Sequence, residues 1–352
     1  MSRKGLTRSI GVACAVAFLA VAVVASAKGR VHVSRAPGPP PTAGRAWSVK
    51  LLVRPASFTS VVRLVATGPR RLTVRARGGR GVYHARLVFP ETGAWKLAAI
   101  AGGSRSRLGS VRVRAAPPIV FVQPSGVDVA RDGSLLVVES GRLRLVRVRP
   151  ATGQVTPIAF FDEPWGVAQA PSGSIFVSDR GSLRRVDGKQ QTTTVATVDP
   201  GLEIGPVTVA PGGDVYFTTA YALYRLPQGQ AGPPQRLATG TAFSSPHGLA
   251  VAADGAVLVS DTDNGRILRV DTGSGAVTTF AELAHPRGID VASDGSVYVV
   301  AADEHRVVHL SATGTRLSVV GPTFQDPYAL AVAADGSVYV DDIGSGLIRR
   351  IG

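Results

Sequence analysis

The chain predicts an all-β protein, a small β-sandwich followed by a six-bladed β-propeller. Three observations lead there. One phrase recurs six times at a spacing of 40 to 42 residues, beginning at Pro124, Pro164, Pro206, Pro246, Pro286 and Pro327. Each copy carries four short apolar runs, which is the content of one propeller blade. Upstream, residues 45–115 alternate apolar and polar in short runs punctuated by Gly and Pro, the pattern of half-buried strands.

Residues 1–27 read as an export signal. Arg3, Lys4 and Arg8 form a basic start, residues 10–24 an apolar stretch, and Ala25-Ser26-Ala27 a small-residue cleavage site. The apolar run through Ala27 is 18 residues long, the lower limit for spanning a bilayer. Cleavage is the expectation, and an anchor through residues 10–27 is the alternative. Either way the protein is expected to be secreted or extracytoplasmic. The only cysteine, Cys14, lies in this segment, so the mature chain is expected to use no disulfide and no thiol chemistry. Residues 28–44, with APGPPPTAG at their end, read as a Pro-rich spacer.

Charge divides the chain. Residues 28–117 carry 18 Lys and Arg against one acid, Glu91, for +17, whereas residues 118–352 amount to −5. Genome composition can favour arginine, but it does not make neighbouring domains opposite in sign. In the basic domain Trp47, Val49, Leu51 and Val53 share one strand face, and Leu72, Val74 and Ala76 another. Arg71, Thr73, Arg75 and Arg77 then point outward. About six strands are expected, as a sandwich. The stretch Phe89-Pro90-Glu91-Thr92-Gly93-Ala94-Trp95-Lys96-Leu97, with Leu108-Gly109-Ser110-Val111-Arg112-Val113, resembles the late strands of YtkA-like/FixH-like immunoglobulin-fold domains. That resemblance implies an accessory module of an exported protein.

Ala115-Ala116-Pro117-Pro118 is the linker, and residues 119–352 are the expected propeller. The fourth repeat supplies an inner strand over residues 248–252, a tight Asp254-Gly255 turn, and strands over 256–260, 266–271 and 277–281. Asp-Gly recurs at 132–133, 294–295 and 335–336, relaxed to Ser172-Gly173 and Gly212-Gly213. Such pairs reach the positive φ that a tight hairpin needs. The last repeat ends on its third strand, and residues 119–122 are expected to supply the fourth, closing the ring. The repeated P-x-G-[VLI]-x-V-x-x-[DG]-G-x-[VL]-[YLF]-V, followed by an acid and Asn-Gly-Arg-Ile or His-Arg-Val, resembles NHL repeats. The wider superfamily includes gluconolactonase-like and streptogramin-lyase-like propellers.

Two loops of each blade emerge on one face. The residue after each proline is Ser125, Trp165, Val207, His247, Arg287 and Tyr328 in turn. Such diversity among otherwise similar blades suits contact with a polar or anionic ligand by stacking and hydrogen bonding, or plain tolerance at an exposed position. Six residues past the turn glycine stand Glu139, Asp179, Thr219, Asp261, Ala301 and Asp342. These acids, Asp179 and Asp261 among them, either face a ligand or cation or tie down their own loops.

His247, His285 and His305 fall on neighbouring blades. Ser245-Pro246-His247 is similar to a zinc motif of an amidating-lyase branch, but blades one to three have no histidine. Three unrelated loop histidines are the simpler reading. The inner positions Asp128, Ala168, Thr208, Ala250, Asp290 and Ala331 do not reproduce the Glu/Asn/Asp set that the gluconolactonase-like resemblance implies for a divalent cation. No Ser-His-Asp order or phosphate-binding loop points to another enzyme class.

The expected function is therefore non-catalytic binding at the cell envelope, through Trp165, His247, Arg287, Tyr328, Asp179 and Asp261. The alternative is a metal-dependent lactonase or lyase using His247 with Asp261 or His285. No cofactor is expected on the leading reading, and a divalent cation on the other. The partner would be an envelope protein, a peptide or a wall polymer. The basic domain would face an anionic membrane or wall surface, or its own propeller, and export argues against nucleic acid.

Overall fold

A computed structural model describes residues 31–43, 46–56, 61–114, 118–238 and 243–351. The expected export signal, the first residues of the spacer and residues 115–117 of the linker lie outside the described residues. The chain divides into two compact units, one up to residue 116 and one from residue 117. Among the described residues no helix is long and apolar enough to cross a membrane.

Strict alternation builds the first unit. Every second residue of Ala46–Arg54 is buried, which turns Trp47, Val49, Leu51 and Val53 to one side. One antiparallel sheet runs in the order His32–Arg35, Ala46–Arg54, Val82–Val88, Arg77–Gly79. The other runs Arg71–Arg75, Val62–Thr67, Gly93–Ala101, Ser104–Val113. Their apolar faces share a single core, in which Phe89 lies between Trp47 and Trp95 at centroid distances of 5.7 and 5.1 Å. The sandwich thus has more strands than the expected six. His32–Arg35, inside the stretch expected to be spacer, is a strand because Val33 falls on the core side opposite Val53.

The second unit is six antiparallel sheets in succession. The fourth is representative: Pro246–Val251, Val257–Asp261, Arg266–Val270 and Val277–Glu282. Each inner strand packs against the next, and Pro327–Val332 of the sixth sheet packs against Pro124–Val129 of the first. The ring is closed. Apolar clusters fill the seams between blades; one joins Val127, Val137 and Val146 of blade one to Ala331, Tyr339 and Ile348 of blade six. The six turn glycines, from Gly133 to Gly336, all have positive φ, as their sequence context requires.

The expected closing strand is realised only in part. The Phe121 amide donates to the Gly346 carbonyl at 2.8 Å, and the Phe121 ring enters the seam between blades six and one. Residues 119–122 form no ladder with Leu347–Ile351, however, and the sixth sheet has three strands. The next amide, Val122 N–H, is taken by the buried Glu139 carboxylate at 2.8 Å, which turns the chain away from the sheet edge.

The inner strands crowd at the axis. A Cβ added to Gly248 would stand 2.2 Å from the Arg287 carbonyl oxygen, and one on Gly288 2.6 Å from the Ala329 Cα. Only glycine fits there, since the neighbouring atoms are backbone and cannot rotate away. Gly248→Ala is expected to destabilise the protein by about 1–3 kcal/mol or more, as overpacking does. Gly188→Ala, where nothing lies within 4 Å of the added carbon, is the control and should melt within a degree or so of the native protein.

Candidate functional site

The residue that precedes each crowded position stands at one end of the channel. Three such side chains, from blades two, four and five, converge on a fourth, the buried ring of Tyr328 from blade six. Trp165 meets it edge-on at 5.4 Å, His247 lies tilted at 5.4 Å, and the Arg287 guanidinium lies over it at 5.3 Å. The structure therefore brings together Trp165, His247, Arg287 and Tyr328 as a single cluster. Ser125 of blade one stands aside, its hydroxyl donating to the Trp165 carbonyl at 3.0 Å.

Blade three departs from the expected register. Val207 is not a mouth side chain; it pairs with Phe217 inside the sheet and is buried in the core between blades two and three. Counted back from the turn glycine Gly213, the mouth position is Gly205, and Pro206 stands where most other blades have glycine. Blade three thus offers no side chain to the ring. A cleft of about 590 Å³ opens at this gap, lined by Trp165, Gly205, Tyr221 and His247, with Leu143 at its edge. Trp165 is 38% exposed and Tyr221 64%. Tyr221 escaped the sequence reading, although its signal is visible: Thr219-Ala220-Tyr221 replaces the acid-led polar loop of blades one, two, four and six.

Charge at the mouth is balanced. Arg287 donates to Asp326 Oδ1 at 2.6 Å and to the Pro327 carbonyl at 3.2 Å. Burial, and then the Arg287 charge, hold the His247 imidazole below its ordinary range, so it is neutral at neutral pH. Its buried Nδ1 has no hydrogen-bond partner among the described residues. Nothing here presents an uncompensated cation to an anionic ligand, one of the two classes expected from sequence. The arrangement suits a ring with an apolar face and hydrogen-bonding edges.

The second ring of acids holds loops. Asp179 accepts the amides of Asp162 and Glu163 at 3.0 and 2.8 Å. Asp261 accepts the Ser244 amide at 2.7 Å, and Asn264 Nδ2 and Arg266 Nε at 2.9 Å each. Neither residue joins the Tyr328 cluster; Asp179 Oδ1 and both oxygens of Asp261 are occupied within their own blade or loop. His285 is likewise engaged elsewhere, its Nδ1 2.7 Å from Asp303. Among the described residues no three His, Cys, Asp or Glu side chains gather into a set that could hold a metal.

Deeper in the channel lie Asp128 and Asp290, and each ties two blades together. Asp128 accepts the Val129 and Gln169 amides, both at 2.7 Å. Asp290 accepts those of Val291 at 2.8 Å and Val332 at 2.7 Å. These carboxylates are spent on backbone donors of blades one, two, five and six, so they do not fit the cation cage of a gluconolactonase-like site. Burial raises Asp128 to about 7, with the Asp290 charge a lesser contribution, and raises Asp290 to about 6.

The comparisons agree with this architecture. The NHL repeat family model matches residues 243–269, within blade four. No curated protein matches the sequence. A gluconolactonase from Xanthomonas campestris, XC5397, is similar in structure at 18% identity and a TM-score of 0.59, over 66% of this chain and 87% of that one. Virginiamycin B lyase from Staphylococcus aureus is similar at 17% identity and 0.55, over 66% and 84%. An auxiliary nutrient binding protein from Bacteroides thetaiotaomicron VPI-5482 is similar at 12% and 0.55, over 91% and 97%. At such identities the likeness carries the fold alone.

The buried aspartates set a pH dependence. Below the ordinary carboxylate range, near 3.8, folded and unfolded chains alike hold these two protons, and the two aspartates cost the fold nothing through ionisation. As pH rises from there to about 7, the unfolded chain ionises while the folded one holds its protons, so stability falls. Asp341, raised well above its ordinary value by burial, acts in the same direction. Melting curves at pH 4.5 and 7.5 should show the native protein losing more stability than Asp128→Asn/Asp290→Asn loses over that interval. Equal slopes would remove this account of the channel.

Proposed function

We propose that the chain is an exported, non-catalytic binding protein of the cell envelope. Its ligand seats on the propeller mouth around Tyr328 and extends into the cleft at blade three. The observation that carries this reading is the convergence of Trp165, His247 and Arg287, each from a different blade, on one buried ring. A rigid ring of blades holds these groups in place before the ligand arrives, which lowers the entropic cost of binding. The ligand class that fits is uncharged overall and ring-bearing, as in an oligosaccharide from a wall polymer or an aromatic peptide side chain. In this reading the first unit is an immunoglobulin-like accessory domain.

A lactonase or lyase is the second reading, and the fold shared with such enzymes favours it. The residues it would use are engaged separately, Asp261 with Arg266 and His285 with Asp303. Supply of a divalent cation should therefore leave the melting temperature unchanged on the binding reading.

Trp165 provides the test. The chain has three tryptophans, and Trp47 and Trp95 are 6% and 0% exposed in the first unit. Titration with neutral wall-derived oligosaccharides and aromatic peptides should give a saturable change in emission that Trp165→Phe abolishes, with the ligand recovered intact. Turnover of a lactone, or a response that survives Trp165→Phe, would contradict the proposal.

A further inference from the structure

A second surface lies on the first unit, on the solvent side of the sheet that runs Arg71–Arg75, Val62–Thr67, Gly93–Ala101, Ser104–Val113. Register places its cations in rungs. Arg75 stands directly opposite Arg63, and Arg63 opposite Ile100, which stands opposite Arg105. On the next rung Thr73, Val65 and Ala98 lead to Arg107. The third carries Arg71, Thr67 and Lys96. The basic residues of these rungs are exposed, and among the described residues none of them forms an ion pair or a hydrogen bond through its side chain.

Folding does not account for this face. Strands lie about 4.8 Å apart and alternate residues about 6.7 Å, so Arg63 and Arg75, and Arg105 and Arg107, stand within the screening length of about 8 Å at physiological salt. Like charges directly opposite, as in Arg63 and Arg75, destabilise a sheet. Only one acid, Glu91, is present in residues 28–117, and it pairs with Arg70 rather than with this face. A surface that keeps such repulsion gains when a polyanion relieves it.

We propose that this sheet face binds a phosphodiester polymer, as a site distinct from the propeller mouth. The planar guanidinium meets phosphate oxygens in a bidentate fork that ammonium lacks. Cations spread over three successive rungs can meet several phosphates of one chain at once. An anionic bilayer fits less well. Charge alone contributes about 1 kcal/mol per residue at a lipid surface, and the protruding apolar side chains that strengthen such binding are missing here, since Val65 and Ala98 in the middle of this face are buried at 0% and 4% exposure.

The test uses the full chain lacking residues 1–27 and immobilised poly(glycerol phosphate). Two triple variants remove equal charge: Arg63→Gln/Arg105→Gln/Arg107→Gln on this face, and Lys50→Gln/Arg54→Gln/Arg86→Gln on the opposite sheet. The first should weaken binding at least tenfold and the second less than threefold. The native affinity should fall steeply with salt. Arg105→Lys/Arg107→Lys, which preserves charge and disturbs folding least, should still lose several-fold. Equal losses in the two triple variants would overturn the proposal. So would polyglutamate binding as tightly as the phosphodiester, full affinity in the lysine variant, or phosphatidylglycerol vesicles binding more tightly than the polymer.

Discussion

The close approach of inner strands at the ring axis is the constraint on which the propeller depends. Gly248 and Gly288 sit where a single added carbon would strike the backbone of the next blade. Without that approach the blades would splay, and the apolar seams between them would admit water. Each seam buries several Val, Leu and Ile side chains, worth about 1.5–3 kcal/mol apiece. The crowding therefore governs far more free energy than the glycines contribute themselves. It also explains why the phrase repeats so faithfully where the blades meet and drifts where they face solvent.

The same geometry creates the mouth. Because the crowded position is glycine in four of the six blades and alanine in blade six, the residue before it is held at the rim of a narrow channel. Six blades thus deliver six positions to one small area, and four of them here hold large or polar side chains that meet at Tyr328. Blade three breaks the symmetry with Gly205 and Pro206. The gap turns a closed ring of side chains into a ring with a side entrance, flanked by Trp165 and Tyr221. Below the rim, Asp128 and Asp290 fasten neighbouring inner strands through backbone amides. Their placement gives rigidity at the cost of burying carboxyl groups that prefer their protonated form at mildly acidic pH.

Much of this was legible in the residues. The Pro-x-Gly and Asp-Gly spacing sufficed to count blades and to align Trp165, His247, Arg287 and Tyr328, because turn chemistry and axial crowding are local demands. Blade three misled the alignment, since Gly205-Pro206 offers a proline two residues late and only the turn glycine keeps the true register. The strand at His32–Arg35 was hidden by the prolines that follow it. The incomplete outer strand of blade six depends on Glu139 capturing the Val122 amide, a contact between residues seventeen apart that periodicity does not reveal. The pairing of Arg287 with Asp326, which neutralises the mouth, is likewise a matter of three-dimensional placement.

On the proposed function, the mouth cluster divides into a structural half and a ligand-facing half. Thermal melting of Tyr328→Ala and Trp165→Ala, compared side by side, separates them. Tyr328 is 6% exposed, and loss of a buried aromatic ring costs about 3–5 kcal/mol, enough to lower the melting temperature by roughly 6 °C or more. Trp165, more than a third exposed, should change it by roughly 2 °C or less on the same scale. If Trp165→Ala melts as early as Tyr328→Ala, the indole is there to pack the ring of blades, and the mouth is not a ligand site.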